Sequence, residues 1–253
     1  MINRMINRLR NVAYGRPIHH HVTNLSPKRE LASNLYLHGD GIEIGALHQP
    51  LQVPASARVR YVDRLTVEEL RTHYVELAEL PLVDVDIIDD GETLATISAG
   101  ELDFVIANHF FEHCQDPIAA LKNMLRVLKP EGVLYMAVPD KRFTHDVRRP
   151  VTTIDHIERD HREGPEGSRR QHYEEWVRLW NQVEDEQEVQ IQVNHLMNVM
   201  QYSIHFHVWS QFEMLELIAA LRKRFNLPFE LEMFLKNEEE MIIVLRKQAS
   251  EAA

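Results

Sequence analysis

A chain of 253 residues, 44% of them hydrophobic, can bury a substantial core in one large domain or two small ones. Its net charge of −11 argues against general nucleic-acid binding, because backbone phosphates would be repelled, and a single cysteine, Cys114, excludes an internal disulfide framework and a cysteine-rich zinc site. The longest apolar runs, such as VLYMAV at 133–138, are too short to span a membrane, and the N-terminus lacks a signal-peptide pattern, which points to the cytoplasm.

In chain order, residues 1–30 read as a basic arm: residues 1–29 contain Arg4, Arg8, Arg10, Arg16, Lys28 and Arg29 and no acid. Met1, Met5 and Leu9 fall four apart between the arginines. That pattern suits weak contact with an anionic membrane surface, a frayed terminus, or packing on a second copy in a homodimer. Residues 31–253 then form one domain. Short apolar runs predict strands at 41–46, 59–63, 84–89, 102–108 and 132–138, alternating with helix-length segments, the signature of a doubly wound, mostly parallel α/β sheet. Before the last of these strands, Asp116 is placed to cap a helix that starts at Pro117, and Ile118, Leu121, Met124, Leu125 and Leu128 give it one apolar face. KPEG at 129–132 is read as the turn into the next strand.

From 140 to 208 the chain is polar and rich in His, Arg and acid, with apolar residues too sparse for a core of its own, so it reads as a helical insertion serving as a lid. SQFEMLELIAALRKRF (210–225) returns to helical spacing, and FELEMF and EMIIVLRK read as an antiparallel C-terminal strand pair joined near Asn237.

The stretch GIEIGALHQP at 41–50 begins like a nucleotide-binding turn, with Glu43 and then Gly45. A dinucleotide would need further glycines for its pyrophosphate, and the chain has Leu47 and Pro50 instead, which disfavours a phosphate-bearing cofactor. Eighteen residues beyond Gly45, Asp63 ends the second predicted strand, where an acid accepts hydrogen bonds from ribose hydroxyls. The third strand ends in DIIDDGETL, whose Asp89 and Asp90 either accept from an exocyclic amine or begin a helix.

LDFVIANHFFEHCQDPIAALKNMLRVLKPEGVLYMAVP resembles the DxVxxxxxLEHxxDPxxxLxxxxRVLKPGG stretch of the class I S-adenosylmethionine-dependent methyltransferases, and the resemblance runs through residues 41–140. It implies the acid-x-glycine motif at Glu43, Ile44 and Gly45, with Leu47 replacing a further glycine. It also implies Asp90 and Gly91 at the adenine, and Asn108 and His109 at the methionine end, with Glu112 and His113 shaping the turn that follows or joining that end. RDHREG, QHYEEW, HFHVWS and EEMIIVLRK are similar to a bacterial subgroup linked to polysaccharide or glycolipid assembly, which implies an O-methyltransferase acting on a small-molecule or glycan acceptor.

A hydroxyl acceptor must lose a proton, and histidine is the natural base. Seven of the 15 histidines lie within 140–208. His205 and His207 would point the same way from an extended HFHVW, His156 could pair with Asp155 or Asp160, and His109 and His113 follow the fourth strand. Each also fits a hydrogen-bonded structural histidine. His with carboxylate could bind zinc, iron or manganese, but no local motif enforces it, so no metal is expected. Two other classes stay open: a non-catalytic protein that keeps the fold to bind a partner, and a nicotinamide-dependent oxidoreductase, which the missing glycines disfavour.

Overall fold

The computed structural model describes residues 26–74 and 77–249. Most of the basic arm, residues 1–25, lies outside these, and so do its proposed membrane and dimer contacts. The described chain starts with helix α1, Pro27–Tyr36, so Lys28 and Arg29 belong to a folded element, and Arg29 is buried.

Strands β1 (Gly39–Ile44), β2 (Ala57–Asp63), β3 (Ile87–Ile88), β4 (Leu102–Asn108), β5 (Leu128–Pro139), β6 (Phe229–Asn237) and β7 (Glu240–Lys247) form one sheet in the order β3-β2-β1-β4-β5-β7-β6. The first five run parallel, with helix α2, Val67–His73, between β2 and β3, and β7 is antiparallel to both β5 and β6. Strand order reverses beside β1, between β2 and β4, so the carboxyl ends of these strands frame a crevice.

Side-chain alternation explains the unbroken apolar runs of the central strands, because both faces of the sheet are covered. Val105, Ala107, Leu134, Met136, Val138, Met241 and Ile243 face one core, which is closed by helix α3, Pro117–Val127, and by a later helix that supplies Met214, Leu217, Ile218 and Leu221. Their neighbours Phe104, Ile106, Val133, Tyr135, Ile242 and Val244 face the other core, which contains Ala32 of α1. Asp116 accepts from Ala119 N at 2.9 Å and caps α3, as the sequence predicts. KPEG, however, does not end an element. β5 begins at Leu128, opposite Leu102, and the register breaks before Phe104 meets Val133, so these residues form an irregularity within the strand. β3 is shorter than the 84–89 expected.

The segment 140–208 leaves and returns at one place, with Asp140 bridged to Trp209 and Lys141 N donating to Trp209 O at 2.9 Å. It contains the helices α4 (Ile154–Glu163), α5 (Glu166–Leu179) and α6 (Glu186–Asn194). Contrary to the sequence expectation, its apolar residues suffice for a core: Tyr173, Trp176, Val177, Val189, Val193, Leu196, Ile204 and Phe206 bury one another. Helix α7, Gln211–Lys223, follows. Among the described residues no helix is long and apolar enough to cross a membrane.

Candidate functional site

Two cavities open at the carboxyl ends of the parallel strands. The first, about 370 Å³, is lined by Gly45, Asp63, Asp90, Gly91, Gln115 and Tyr173 among others. The second, about 380 Å³, is lined by Glu43, Asn108, Thr144, His145, Trp180 and His205 among others. Gly45, Leu47, His109 and His113 line both, so the two spaces meet at the tips of β1 and β4.

The turn after β1 is built around two left-handed residues. Gly45 has φ +63°, and Leu47, standing where the family motif carries a glycine, has φ +52°. Leucine there adopts the conformation a glycine would supply, at a cost of about 1 kcal/mol. Glu43, almost wholly buried, holds the turn: its two oxygens accept from Leu51 N at 3.1 and 3.0 Å, and Oε1 accepts from Asn108 Nδ2 at 3.3 Å. Burial pushes its carboxyl up to about 7 despite these hydrogen bonds. The motif acid thus braces the turn against β4. Asn108 Oδ1 is buried without a hydrogen-bond partner beside the second cavity.

Asp63 accepts only from nearby backbone, with Leu65 N at 3.3 Å, and burial raises its pKa. Its remaining lone pairs are available to hydroxyls in the first cavity. Asp90 accepts from Glu92 N at 2.8 Å, while Asp89 is turned inward onto Thr96 Oγ1 and N. A Cβ on Gly91 would lie 2.5 Å from Ile44 Cγ2 and 2.6 Å from Phe110 Cζ, so only glycine fits.

At the tip of β4, His109 has φ +48° and its Nε2 lies 2.8 Å from Glu240 Oε2. Arg29 donates to both oxygens of Glu240, at 2.7 and 2.6 Å, and Asn237 Nδ2 donates to Oε1 at 2.6 Å. Burial opposes the charge on Glu240, but the hydrogen bonds from Arg29 and His109 outweigh it and bring the carboxyl down to about 2. One wall of the site therefore depends on a buried ion pair between α1 and the start of β7.

The other wall holds Glu112, His113, Asp146 and His205. His113 Nδ1 donates to Ile204 O at 2.9 Å, and burial lowers its pKa to about 3, so the ring is neutral. His205 Nδ1 lies 2.6 Å from Asp146 Oδ2. Asp146 is buried against its charge, yet hydrogen bonds from His205 and Arg149 bring it to about 2. With Nδ1 engaged, His205 Nε2 is left as the working nitrogen. It stands 4.0 Å from Glu112 Oε1. Burial raises Glu112 to about 7, and neither of its oxygens is hydrogen-bonded. A carboxylate oxygen of Glu112 and one nitrogen each of His113 and His205 lie within 4.8 Å of one another, a set able to relay a proton or to hold a metal ion.

The structure brings Glu43, Gly45, Asp63, Asp90, Gly91, Asn108, His109, His113 and His205 together at the two cavities. His207 and His156 line neither. No strand forms at 205–207, and Phe206 N and His207 N both turn onto Glu112 O, at 2.8 and 3.2 Å. His205 consequently faces the second cavity while His207 is buried against Trp209, His172 and His156. Sequence reasoning passed over Arg29, Asp146, Arg149 and Glu240. Their principal partners lie far along the chain, and the local contacts are Asp146–Arg149 and Asn237–Glu240, each three residues apart.

The site fits S-adenosylmethionine: a carboxylate at the end of β2 for a ribose, an unpartnered amide oxygen at the tip of β4, and no nest of glycines for a phosphate. Residues 29–218 match a family profile described as methyltransferase domain. No curated protein matches the chain by sequence. Among solved structures, it is similar to a SAM-dependent methyltransferase of Thermotoga maritima described as a possible histamine N-methyltransferase, with 16% identity over 97% of each chain and a TM-score of 0.48. A methyltransferase solved with the Trm112 activator of Haloferax volcanii gives 14% identity over 94% of this chain and 96% of that one, with a TM-score of 0.49. A SAM-dependent methyltransferase of Aquifex aeolicus gives 12% identity over 87% of each chain, with a TM-score of 0.44. The fold assignment rests on the strand order itself. By the profile match over most of its length, the chain belongs to the methyltransferase domain family, with S-adenosylmethionine as its cofactor.

Proposed function

We propose that the chain methylates a hydroxyl of a small-molecule or glycan acceptor, with His205 as the general base. The observation that supports this most is the His205–Asp146 pair at the second cavity, which adjoins the cofactor cavity at His109 and His113. When bound, S-adenosylmethionine supplies an electrophilic methyl group. Asp63 would hold its ribose hydroxyls, Asp90 and the Gly91 backbone would hold the adenine, and Asn108 Oδ1 would hold the amino group of the methionine end.

His205 then removes the acceptor proton at Nε2, while Asp146 fixes the tautomer and stabilises the imidazolium that forms. His113, neutral and held by Ile204 O, presents a nitrogen lone pair that orients the hydroxyl. A sugar hydroxyl suits the second cavity, whose wall combines the Trp180 ring with polar His48, Gln49 and Thr144. The segment 140–208 contributes Thr144, His145, Trp180 and His205 to that wall, in keeping with a role as cover for the acceptor.

The test is a single-turnover screen with methyl-labelled S-adenosylmethionine against mono- and oligosaccharides, small phenols and amines, with the methyl located by NMR. An O-methylated sugar whose formation needs His205 supports the reading. Methyl transfer to nitrogen, or transfer unaffected by His205→Ala, overturns it.

A further inference from the structure

Away from both cavities, four ligating side chains meet between α4, α5 and the segment that runs into Trp209. His156 and Asp160 stand one turn apart on α4, His172 is on α5, and His207 lies two residues before Trp209. His156 Nε2 lies 3.0 Å from His172 Nε2 and 3.1 Å from Asp160 Oδ2, and His172 Nε2 lies 3.8 Å from that same oxygen. One ring nitrogen from each of His156, His172 and His207 lies within 4.8 Å of the other two.

In a tetrahedral zinc site with ligand bonds of about 2.0–2.2 Å, neighbouring donors stand about 3.3 Å apart. The three spacings observed here straddle that value. His207 supplies an independent pointer. It is fully buried, its Nε2 faces Gln115 O at 3.4 Å, and its Nδ1 has no hydrogen-bond partner. An orphaned buried acceptor costs about 1–3 kcal/mol. The ring lies against those of His172 and His156, at centroid distances of 5.0 and 5.8 Å, and Arg149 is the other charged group that acts on it.

We propose that His156, His172, His207 and Asp160 bind one divalent transition-metal ion, zinc by preference, in a closed tetrahedral site that fastens α4 and α5 to the segment entering Trp209. Three imidazoles and one carboxylate are a donor set zinc accepts readily. The site is structural in kind, because His156, Asp160, His172 and His207 line neither cavity and so offer no position to an acceptor. Its outer contacts suit the task. Ser168 Oγ donates to Asp160 Oδ2 at 2.6 Å, and the Gln115 carbonyl faces His207 Nε2. Arg159, an exposed side chain, donates to His156 Nδ1 at 2.6 Å. On metal binding, the proton on His156 Nε2 moves to Nδ1 and Arg159 turns to solvent, so the ring stays neutral and no proton is lost.

The experiment uses the full chain purified without an affinity tag from zinc-supplemented cells, with metal content measured by mass spectrometry and melting followed before and after 1,10-phenanthroline. About one zinc per chain is expected. Chelation should lower Tm and added zinc should restore it. His172→Gln and Asp160→Asn should each weaken zinc binding by about 100-fold or more. His205→Gln, in the separate cluster with Glu112 and His113, should keep the ion, and loss of zinc in His205→Gln with retention in His172→Gln would overturn the proposal. So would a metal-free wild type whose Tm ignores zinc. Should those variants fail to fold, cobalt-substituted His205→Gln decides, because the second cluster is then broken: intense tetrahedral visible bands support the site, and a faint octahedral spectrum refutes it.

Discussion

His205 and Asp146, 59 residues apart, meet at 2.6 Å, and the contact fixes which imidazole nitrogen faces the second cavity. Asp146→Asn keeps the shape of the side chain but presents the wrong group to Nδ1. Single-turnover methylation should fall by about 10²- to 10⁴-fold while cofactor affinity stays within about twofold. Because Asp146 also pairs with buried Arg149 at 2.9 Å, the thermal transition is measured alongside, so that a loss of fold is not scored as a loss of chemistry. A folded variant that turns over at the wild-type rate would remove His205 from the mechanism.

Asp63 ends β2 with its carboxylate engaged only by nearby backbone. A hydrogen bond to a charged group contributes about 1.5–3 kcal/mol, so Asp63→Ala should weaken S-adenosylmethionine binding by about 10- to 150-fold without unfolding the chain. Calorimetric titration showing unchanged affinity would mean that the ribose lies elsewhere.

Glu43 gives the pH prediction. Burial raises its folded pKa to about 7 from an ordinary 4.5. The proton it holds therefore contributes stability that is complete below about pH 4.5 and is lost as pH rises through 7. Glu43→Gln stays neutral and keeps an oxygen for Leu51 N. Its stability relative to wild type should improve between pH 5 and pH 8 by an amount on the order of 3 kcal/mol. Urea midpoints at four pH values would test this, and parallel curves for the two proteins would contradict it.

Arg29→Met leaves Glu240 buried without its guanidinium and should cost about 3–5 kcal/mol in denaturant unfolding. Replacing both partners, as Arg29→Met with Glu240→Leu, should recover much of that loss. A single variant as stable as wild type would show that the pair carries no net energy.

Much of this could be read in the sequence because it is local. β4, the Asp116 cap and the closing hairpin each carry their signal within a dozen residues, and both faces of β4 and β5 are apolar because both are buried. The rest depends on distance. Arg29 reads as one more cation of a basic stretch and Glu240 as the last of three acids at a turn, and nothing near either announces a contact spanning 211 residues. Tyr173, Trp176 and Val177 are helically spaced, but their polar surroundings hide the small core they form with Val189 and Val193. His207 was misplaced by assuming an extended HFHVW, where two successive amides instead share the Glu112 carbonyl.

The clamp of Glu240 on Arg29 and His109 also sets a schedule for synthesis. The ribosome releases α1 long before the carboxylate that neutralises Arg29 and steadies His109, which follows 211 residues later in β7. A nascent or prematurely terminated chain could assemble β1 through β5 and still lack one wall of its active site, with a cation stranded at the sheet. Competence for methyl transfer would then wait for the strand that carries Glu240, and fragments ending before residue 240 would be inert products, not slow enzymes.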